Sequence, residues 1–350
     1  MWTEIYRPKR VEELVGQEAV VKRLQGFVAV KTVPNLLLWG PKGTGKTSMV
    51  YALAAELYDN YAENLMFVEC ADFSEQRKKW LRDDDRFKHF YSDSKSAMDI
   101  FKGMMREHAT LSPITAEFKL LVFNNADFLP VDAQQALRRT MERSNKTSRF
   151  IFCTTKPAGV IPAIRSRCLN LYFRSLAKSG ALDTLLKAIA QKEGVELSDG
   201  GLLMLKRYAQ GDAGAAINML EAASANSPQI SGKALKEVVR TVFRQRTKVD
   251  ALIESVLAGK SKDIRTDLEK LIKDERKDGQ SFMVLLHEAL RRKMNAARSN
   301  PELFARLMLY ESETDYELCY SLNNMIHIEE MMMKWHQQQN SGGSKQPGII

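Results

Sequence analysis

Residues 40–47 read GPKGTGKT and constrain the fold more than any other part of the chain. They match the pattern GxxxxGK[ST] and lie between an apolar run at 36–39 and a helix-like segment at 48–57. Strand, glycine-rich loop and helix in this order form a phosphate-binding loop, because the N–H groups and dipole of the helix start favour a phosphate. Lys46 is expected to reach the outer phosphates and Thr47 to hold Mg²⁺. The sequence therefore predicts a site for a nucleoside triphosphate.

The next strong strand, 118–123, ends in an unusual pair, Asn124 and Asn125. In a hydrolysing site this strand ends in two acidic residues, one that helps to hold Mg²⁺ and one that activates water. Asparagine keeps nearly the shape of aspartate but lacks its charge and cannot accept a proton. Asn124 is therefore predicted to be a poor partner for Mg²⁺, and Asn125 cannot act as a base. Because such water activation contributes roughly 10²–10⁴-fold, binding is predicted to be retained and turnover to be lost or strongly weakened. Asp127 is the nearest acid that could substitute.

The bulk composition is that of an ordinary protein with two or three domains in 350 residues. No apolar run approaches the roughly 20 residues that a membrane span needs, and the N-terminus lacks the apolar stretch of a signal peptide. The four cysteines show no metal-binding spacing and are expected to be reduced thiols of an intracellular protein. The net charge of +9 fits a polyanionic partner, and equally a generic basic surface.

Strand-like and helix-like segments alternate over the first part of the chain, which predicts a parallel α/β sheet. The predicted strands are 36–39, 65–70, 118–123, 149–154 and 169–173. From about residue 175 onward the strand signals vanish and apolar residues recur at helical spacing. The predicted domains are an α/β nucleotide-binding domain, 1–174, an all-α lid, 175–245, a further all-α domain, 246–336, and a disordered tail, 337–350.

The segment 72–113 is long and charged for a single crossover between strands. Its basic, aromatic-containing stretch at 77–82 could contact a phosphate backbone. The acidic triplet that follows, 83–85, favours a solvated face instead.

Four short motifs, in order and spacing, resemble those of AAA+ clamp-loader subunits. They are EIYRPK at 4–9, ELVGQE at 13–18, ALRRTME at 136–142 and IRSRC at 164–168. The resemblance covers residues 1 to about 335. In detail, the chain is similar to the small subunits of replication factor C, of the archaeal or eukaryotic type. It implies an AAA+ module, a lid, and a collar domain through which subunits assemble into a pentamer.

The resemblance also implies a function, loading a ring-shaped sliding clamp onto primer–template DNA during replication. ATP and Mg²⁺ are the implied cofactors, and the implied partners are other subunits of a hetero-pentamer, the clamp and the DNA, without a membrane. The implied location is the cytoplasm or nucleoid of a prokaryote, or the nucleus of a eukaryote. The residues expected to bind the nucleotide are Glu4, Tyr6, Arg7, Pro8, Val15, Gly16, Gly40, Pro41, Lys42, Gly43, Thr44, Gly45, Lys46, Thr47 and Ser48.

Four further residues receive roles from the same resemblance. Arg167, in the Ser-Arg-Cys motif, is expected to act as an arginine finger that completes the ATP site of the neighbouring subunit. Thr155 occupies the sensor position after the fourth strand. Arg138 and Arg139 are expected to contact either DNA or another subunit.

The sequence departs from this family where hydrolysis in its own site is concerned. Asn124 and Asn125 replace the acidic pair, Gly214 stands where a phosphate-sensing arginine is expected, and 70–75 lacks the usual segment after the second strand. Arg167, which the resemblance implies would serve a neighbour, is intact. The leading hypothesis is an ATP-binding subunit with little or no ATP hydrolysis of its own.

Two alternatives remain open from the sequence. One is a self-sufficient AAA+ ATPase that uses Asp127 and acts as a homo-oligomeric DNA remodeller. The other is a structural scaffold whose phosphate-binding loop stays empty.

Overall fold

The computed structural model describes most of the chain, which divides into two compact units, Met1–Lys236 and Glu237–Ile350. The described residues are 1–71, 96–111, 113, 116–177, 179–225, 227–242, 244–257, 264–275, 279–296, 301–318 and 324–340. The charged stretch at 77–85 lies outside them.

Five strands of the first unit form one parallel sheet. They are β1 (Leu36–Trp39), β2 (Leu65–Glu69), β3 (Lys119–Asn124), β4 (Ser148–Thr154) and β5 (Leu169–Tyr172). Their order across the sheet is β2-β3-β4-β1-β5. Each strand lies within one residue of its predicted bounds, because strands buried on both faces are near-continuous apolar runs. The predicted parallel α/β sheet is confirmed.

Helices cover both faces of this sheet and make two separate apolar cores. They are α2 (Glu18–Ala29), α3 (Lys46–Leu57), α4 (Tyr61–Asn64), α5 (Ala97–Thr110), α6 (Val131–Arg143) and α7 (Pro162–Arg165), whereas α1 (Trp2–Ile5) buries no residue against the sheet. Successive residues of a strand point to opposite faces, so Leu37 packs into the core that α5 and α6 complete. Leu36 and Leu38 pack into the other core, which α2 and α3 complete.

After β5 the first unit continues as helices with a small second sheet among them. The elements are α8 (Ala181–Lys192), β6 (Glu196–Leu197), α9 (Asp199–Ala209), α10 (Ala213–Ser224), β7 (Gln229–Ile230) and α11 (Gly232–Val242), which contains the boundary between the units. The sequence predicted helices only, whereas β6 and β7 pair in parallel. The sequence could not indicate β6 and β7, because a strand of two residues is too short to show an alternation of apolar and polar residues. The backbone of β7 also passes so close to α9 that a Cβ on Gly201 would lie 2.5 Å from the carbonyl oxygen of Ile230.

The second unit is helical throughout its described residues. Its helices are α12 (Arg244–Leu257), α13 (Ile264–Glu275), α14 (Gly279–Ala296), α15 (Pro301–Leu318) and α16 (Asn324–Asn340). They enclose one apolar core around the fully buried Trp335. The last helix continues through Asn340, four residues into the predicted tail, and 341–350 lie outside the described residues. The domain boundaries at 174 and 245 stay predictions.

Two structural features concern the predictions made from composition, namely the lack of a membrane span and the reduced state of the cysteines. No helix in the described part of the chain is long and apolar enough to cross a membrane. Cys70, Cys153 and Cys168 are free thiols, and burial raises the pKa of both Cys153 and Cys168 to about 12. These thiols are therefore protonated near neutral pH and are poor nucleophiles.

Replacing Phe152 by alanine tests the core beneath α5 and α6. Phe152 is fully buried and stacks on Phe123, with ring centroids 5.2 Å apart. The free energy of unfolding of the Phe152→Ala variant, measured by urea denaturation, should fall by about 3–5 kcal/mol. Phe128→Ala is the matched control, because that side chain is 47% exposed. Equal losses in the two variants would contradict this description of the core.

Candidate nucleotide-binding site

The loop between β1 and α3 is held in shape by its own side chains. Gly43 and Gly45 have positive φ angles of 69° and 93°, and α3 begins at Lys46 directly after them. The Lys46 ammonium donates hydrogen bonds to the carbonyl oxygens of Gly40 and Pro41, at 2.8 and 2.6 Å. Burial lowers the pKa of Lys46 from its ordinary value. A negatively charged ligand above the loop would favour the charged form again.

A cavity of about 700 Å³ opens above this loop. That volume lies within the range of small-molecule sites, ~300–1,000 Å³. The predicted nucleotide-binding residues in its wall are Tyr6, Arg7, Pro8, Val15, Lys42, Gly43, Thr44, Gly45, Lys46, Thr47 and Ser48. Asn124, Asn125, Thr155 and Gly214 also line it. Residues from five separate stretches of the chain, 6–15, 42–48, 124–125, 155 and 214, are thus brought together around one space.

The N-terminal segment forms one side of the cavity and is tied to the lid. The Tyr6 hydroxyl donates a hydrogen bond of 2.6 Å to the carboxylate of Glu193, and the backbone N–H of Trp2 donates one of 2.9 Å to Glu221. The Arg7 guanidinium lies over the Tyr51 ring, 4.9 Å from its centroid. These contacts hold aromatic and cationic groups along this side of the cavity.

Four of the predicted nucleotide-binding residues lie outside the cavity wall. The carboxylate of Glu4 pairs with Arg7 at 2.6 Å, and the carbonyl oxygens of Gly40 and Pro41 face Lys46. Gly16 has a φ of 76°, and a Cβ there would lie 2.7 Å from a methyl group of Leu176. Each of these four residues lies against a residue of the cavity wall and does not line the cavity itself.

The lid meets the loop directly. The backbone N–H of Ala213 donates a hydrogen bond of 3.0 Å to the carbonyl oxygen of Gly43. Gly214 presents no side chain to the cavity, so the first turn of α10 offers no cation there. Lys192, at the end of α8, does line the wall, and its ammonium is 5.7 Å from the centroid of the Tyr6 ring. Sequence reasoning missed Lys192, because a lysine at a helix end has no distinctive signal.

The ends of β3 and β4 form the floor of the cavity. The Thr47 hydroxyl donates a hydrogen bond of 3.2 Å to Oδ1 of Asn124. Thr155 lines the cavity, whereas the preceding Thr154 is buried and its hydroxyl donates to the carboxylate of Asp127. Asp127, the candidate substitute acid, is therefore engaged by β4 and lies outside the cavity wall.

One acid near the asparagine pair was missed from the sequence. Glu69 ends β2 and is paired in register with Asn124 of β3. Its carboxylate accepts hydrogen bonds from the side-chain amides of Asn124, at 2.6 Å, and Asn125, at 2.7 Å. Only the register between the two strands could have indicated this contact.

Arg167 follows the short helix α7 and lies outside the wall of the cavity. Its guanidinium donates a 2.6 Å hydrogen bond to the carboxylate of Glu142 and a 2.8 Å hydrogen bond to the carbonyl oxygen of Ala163. The Nε atom of Arg138 lies 3.5 Å from the same carboxylate of Glu142. Two of the predicted arginines therefore converge on one acid at the end of α6.

Arg139 turns to a different surface. It lines a second cavity of about 380 Å³ between α5 and α6, called here the basic cleft. The cationic residues of the basic cleft are Lys102, Arg106, Arg139 and Arg143. Asp132 is the acid in its wall. The two adjacent arginines of the ALRRTME motif thus face separate environments.

A phosphate-binding loop on this sheet, with a helical lid against the loop, defines the AAA+ class of nucleotide-binding proteins. The fold is shared with the RuvB Holliday junction branch migration motor of Thermotoga maritima, at a TM-score of 0.51 and 18% identity over 71% of this chain and 79% of that one. A replication factor C small subunit of Thermofilum pendens is 34% identical over 339 residues, which cover 95% of each chain. The chain belongs to the replication factor C small subunit family.

Further comparisons concern the family and the fold. The replication factor C small subunit of Archaeoglobus fulgidus is 30% identical over 331 residues, covering 94% of this chain and 95% of the relative. A family model described as DNA polymerase III, delta subunit matches residues 16–177. A single-residue variant of Thermotoga maritima RuvB gives a TM-score of 0.52 at 17% identity, over 77% of this chain and 90% of that one. At such identity the likeness to RuvB concerns the fold alone.

Replacing Gly43 by alanine tests the contact between loop and lid. A Cβ at this position would lie 2.0 Å from Oδ1 of Asp212, on backbone with a φ of 69°. Because strain of about 1–3 kcal/mol is expected, the affinity for a fluorescent ATP analogue should fall by about tenfold or more. Gly26→Ala is the control, since Gly26 is exposed in α2 with no atom within 4 Å of its Cβ position. Unchanged affinity in Gly43→Ala would show that loop and lid do not act together.

Proposed function

We propose that this chain is an ATP-binding subunit of a clamp loader, with little or no hydrolysis of its own, that supplies Arg167 to a neighbouring subunit's ATP site. Membership of the replication factor C small subunit family supports the clamp-loader role. The observation that carries the finer proposal is a contrast within one chain. Asn124 and Asn125 line its own cavity, while Arg167 is exposed outside it.

The residues of the cavity fit a nucleoside triphosphate with Mg²⁺. Backbone N–H groups at the start of α3 and the Lys46 ammonium would hold the phosphates. Thr47 Oγ1 and Asn124 Oδ1, 3.2 Å apart, are the oxygen atoms that would hold Mg²⁺. Bound Mg²⁺ neutralises charge on the outer phosphate oxygens. Tyr6, Arg7 and Pro8 would contact the base and ribose.

The same cavity is poorly equipped to cleave the nucleotide. Asn125 stands where the resemblance predicts the water-activating acid, and an amide cannot take the proton. Gly214 provides no cation for the outer phosphate. Asp127 is engaged by Thr154 instead of lining the cavity. Slow turnover or none is therefore the proposed behaviour of the isolated chain.

Arg167 is suited to act on another subunit's nucleotide. Its side chain is 36% exposed and is held by Glu142, whose side chain is 45% exposed. A guanidinium supplied in trans stabilises charge on the transferred phosphoryl group, with an effect of roughly 10³–10⁵ on the rate in other systems. Binding to a neighbour's phosphate would require Arg167 to exchange its contact with Glu142 for that phosphate.

The basic cleft is the proposed contact with the backbone of primer–template DNA. It gathers four cationic side chains on two adjacent helices, and the net charge of +9 has the matching sign. Arg138, beside Glu142 and Arg167, is assigned to the contact between subunits instead. The helical second unit is the proposed collar of a hetero-pentamer, and the sliding clamp completes the proposed partners.

Mixing experiments with a cognate small subunit test the role of Arg167. The isolated chain should bind ATP with slow turnover, and the mixture should hydrolyse ATP in a way that depends on Arg167. Arg167→Ala should lower the stimulated rate by at least about 10³-fold. Arg167→Lys should recover only part of it, because lysine keeps the charge but loses the planar fork. Arg207→Ala, an exposed arginine of α9, is the control.

Other outcomes of this experiment would assign the chain differently. Robust turnover by the isolated chain would favour the self-sufficient ATPase. A chain that binds no nucleotide would favour the structural scaffold.

The salt dependence of DNA binding tests the basic cleft. A lysine or arginine that neutralises one phosphate contributes about 0.9 to the slope of log affinity against log salt concentration. Arg139→Ala in the assembled complex should therefore weaken binding and reduce the magnitude of the slope by about one. The adjacent Arg138→Ala should leave the slope unchanged. If Arg138→Ala alone changed it, the two assignments would have to be exchanged.

A further inference from the structure

The asparagine pair in the cavity is backed by a carboxylate on the neighbouring strand. Asn124 and Asn125 donate their side-chain N–H groups to the two different oxygens of Glu69, at 2.6 and 2.7 Å. Glu69 is half-buried at the end of β2, and the register places it directly beside Asn124. An acid therefore remains at this edge of the sheet, displaced by one strand from the position where the resemblance predicts it.

These hydrogen bonds fix the direction of both amides. A side-chain amide has a donor end and an acceptor end, so an amide whose N–H₂ faces Glu69 turns its carbonyl oxygen away from Glu69. For Asn124 that oxygen accepts a hydrogen bond from Thr47, the proposed ligand of Mg²⁺. Charge-assisted hydrogen bonds are roughly twice as strong as neutral ones. The Glu69 charge also polarises the amide and makes its oxygen a better ligand.

We propose that Glu69 is a positioning residue for Mg²⁺-dependent nucleotide binding, which holds the carbonyl oxygens of Asn124 and Asn125 toward the cavity. The inference rests on the proposed function, because it concerns the same nucleotide and the same metal ion. It accounts for how a site without the usual acidic pair presents metal-binding oxygens. Partners of this kind, behind the direct ligands, typically change metal affinity by about 10–100-fold when they are removed.

The geometry separates this role from that of a general base. Glu69 is absent from the residues that line the cavity, and both of its oxygens already accept hydrogen bonds. A base that takes a proton from the attacking water must lie within hydrogen-bond reach of that water. Glu69 therefore acts through the asparagines.

The proposal also requires one carboxylate and one amide at positions 69 and 124. An aspartate at position 124 would place a second negative charge against the first, and two carboxylates in contact cannot both ionise easily. Asn124→Asp alone should therefore impair the site. In the Glu69→Gln background the same change should restore it, because one carboxylate and one amide are again present.

The experiment measures the affinity of the full chain for a fluorescent ATP analogue, with saturating Mg²⁺ and with EDTA. In Glu69→Gln only one side-chain oxygen remains to accept, so one asparagine amide reverses and turns its N–H₂ toward the cavity. The gain in affinity that Mg²⁺ gives should fall by about tenfold or more, with little change in EDTA. Glu63→Gln is the matched control, an exposed glutamate in α4 just before β2. Glu69→Gln/Asn124→Asp should recover the Mg²⁺-dependent gain that each single variant loses.

The outcomes separate the inference from the proposed function. If the wild-type chain binds no nucleotide under either condition, the proposed function fails and the inference fails with it. If the wild type shows a Mg²⁺-dependent gain and Glu69→Gln keeps all of it, only the inference is overturned. If Glu69→Gln does not fold, the comparison of Asn124→Asp with the double variant decides. A larger Mg²⁺-dependent gain in affinity in Glu69→Gln/Asn124→Asp than in Asn124→Asp supports the proposal. Equal gains in these two variants overturn it.

Discussion

The parallel pairing of β1 between β4 and β5 is the constraint on which the nucleotide site depends. Trp39, the last residue of β1, lies opposite Thr154 on one side and Tyr172 on the other. The chain then leaves the sheet at Gly40, where a Cβ would lie 2.2 Å from the carbonyl oxygen of Phe173. This close approach sets where the phosphate-binding loop begins. Burial of the three leucines of β1 stabilises this central strand in the sheet by ~1.5–3 kcal/mol each.

The charges of the cavity are balanced differently from those of a hydrolysing site. Relative to the pattern that the sequence resemblance implies, the site lacks two acids at the end of β3 and one arginine on the lid. It therefore has fewer negative and fewer positive groups than that pattern. Lys46 stays buried at the centre, with its ammonium on the carbonyl oxygens of Gly40 and Pro41. Beside the phosphate-binding loop, a nucleotide would therefore meet the buried Lys46 ammonium, a helix start and the neutral amides of Asn124 and Asn125. That combination supports the proposal of a subunit that binds ATP with little or no hydrolysis of its own.

Much of this architecture could be predicted from the sequence, because each prediction rested on a local pattern. The apolar run of β1 and the motif after it located the loop, and the five strands followed from similar runs. What escaped prediction depends on register or on contacts between distant segments. Glu69 is an ordinary acid at a strand end until β2 is paired with β3. In the same way, only packing shows that the carboxylate of Glu4 faces Arg7, or that Arg138 and Arg139 serve different surfaces.

The contact between Arg167 and Glu142 has a consequence for the entropy of assembly. An exposed ion pair of this kind contributes only ~0–1 kcal/mol to stability, so it is a weak restraint on the fold. An arginine side chain nevertheless loses up to about 2 kcal/mol of rotamer entropy when it is immobilised. Because Glu142 and the Ala163 carbonyl oxygen orient the guanidinium within the single chain, part of that ordering is complete before any neighbour arrives. In the proposed assembly, exchange of Glu142 for a neighbour's phosphate would replace one hydrogen-bonded arrangement of this side chain by another, so little further rotamer entropy would be lost.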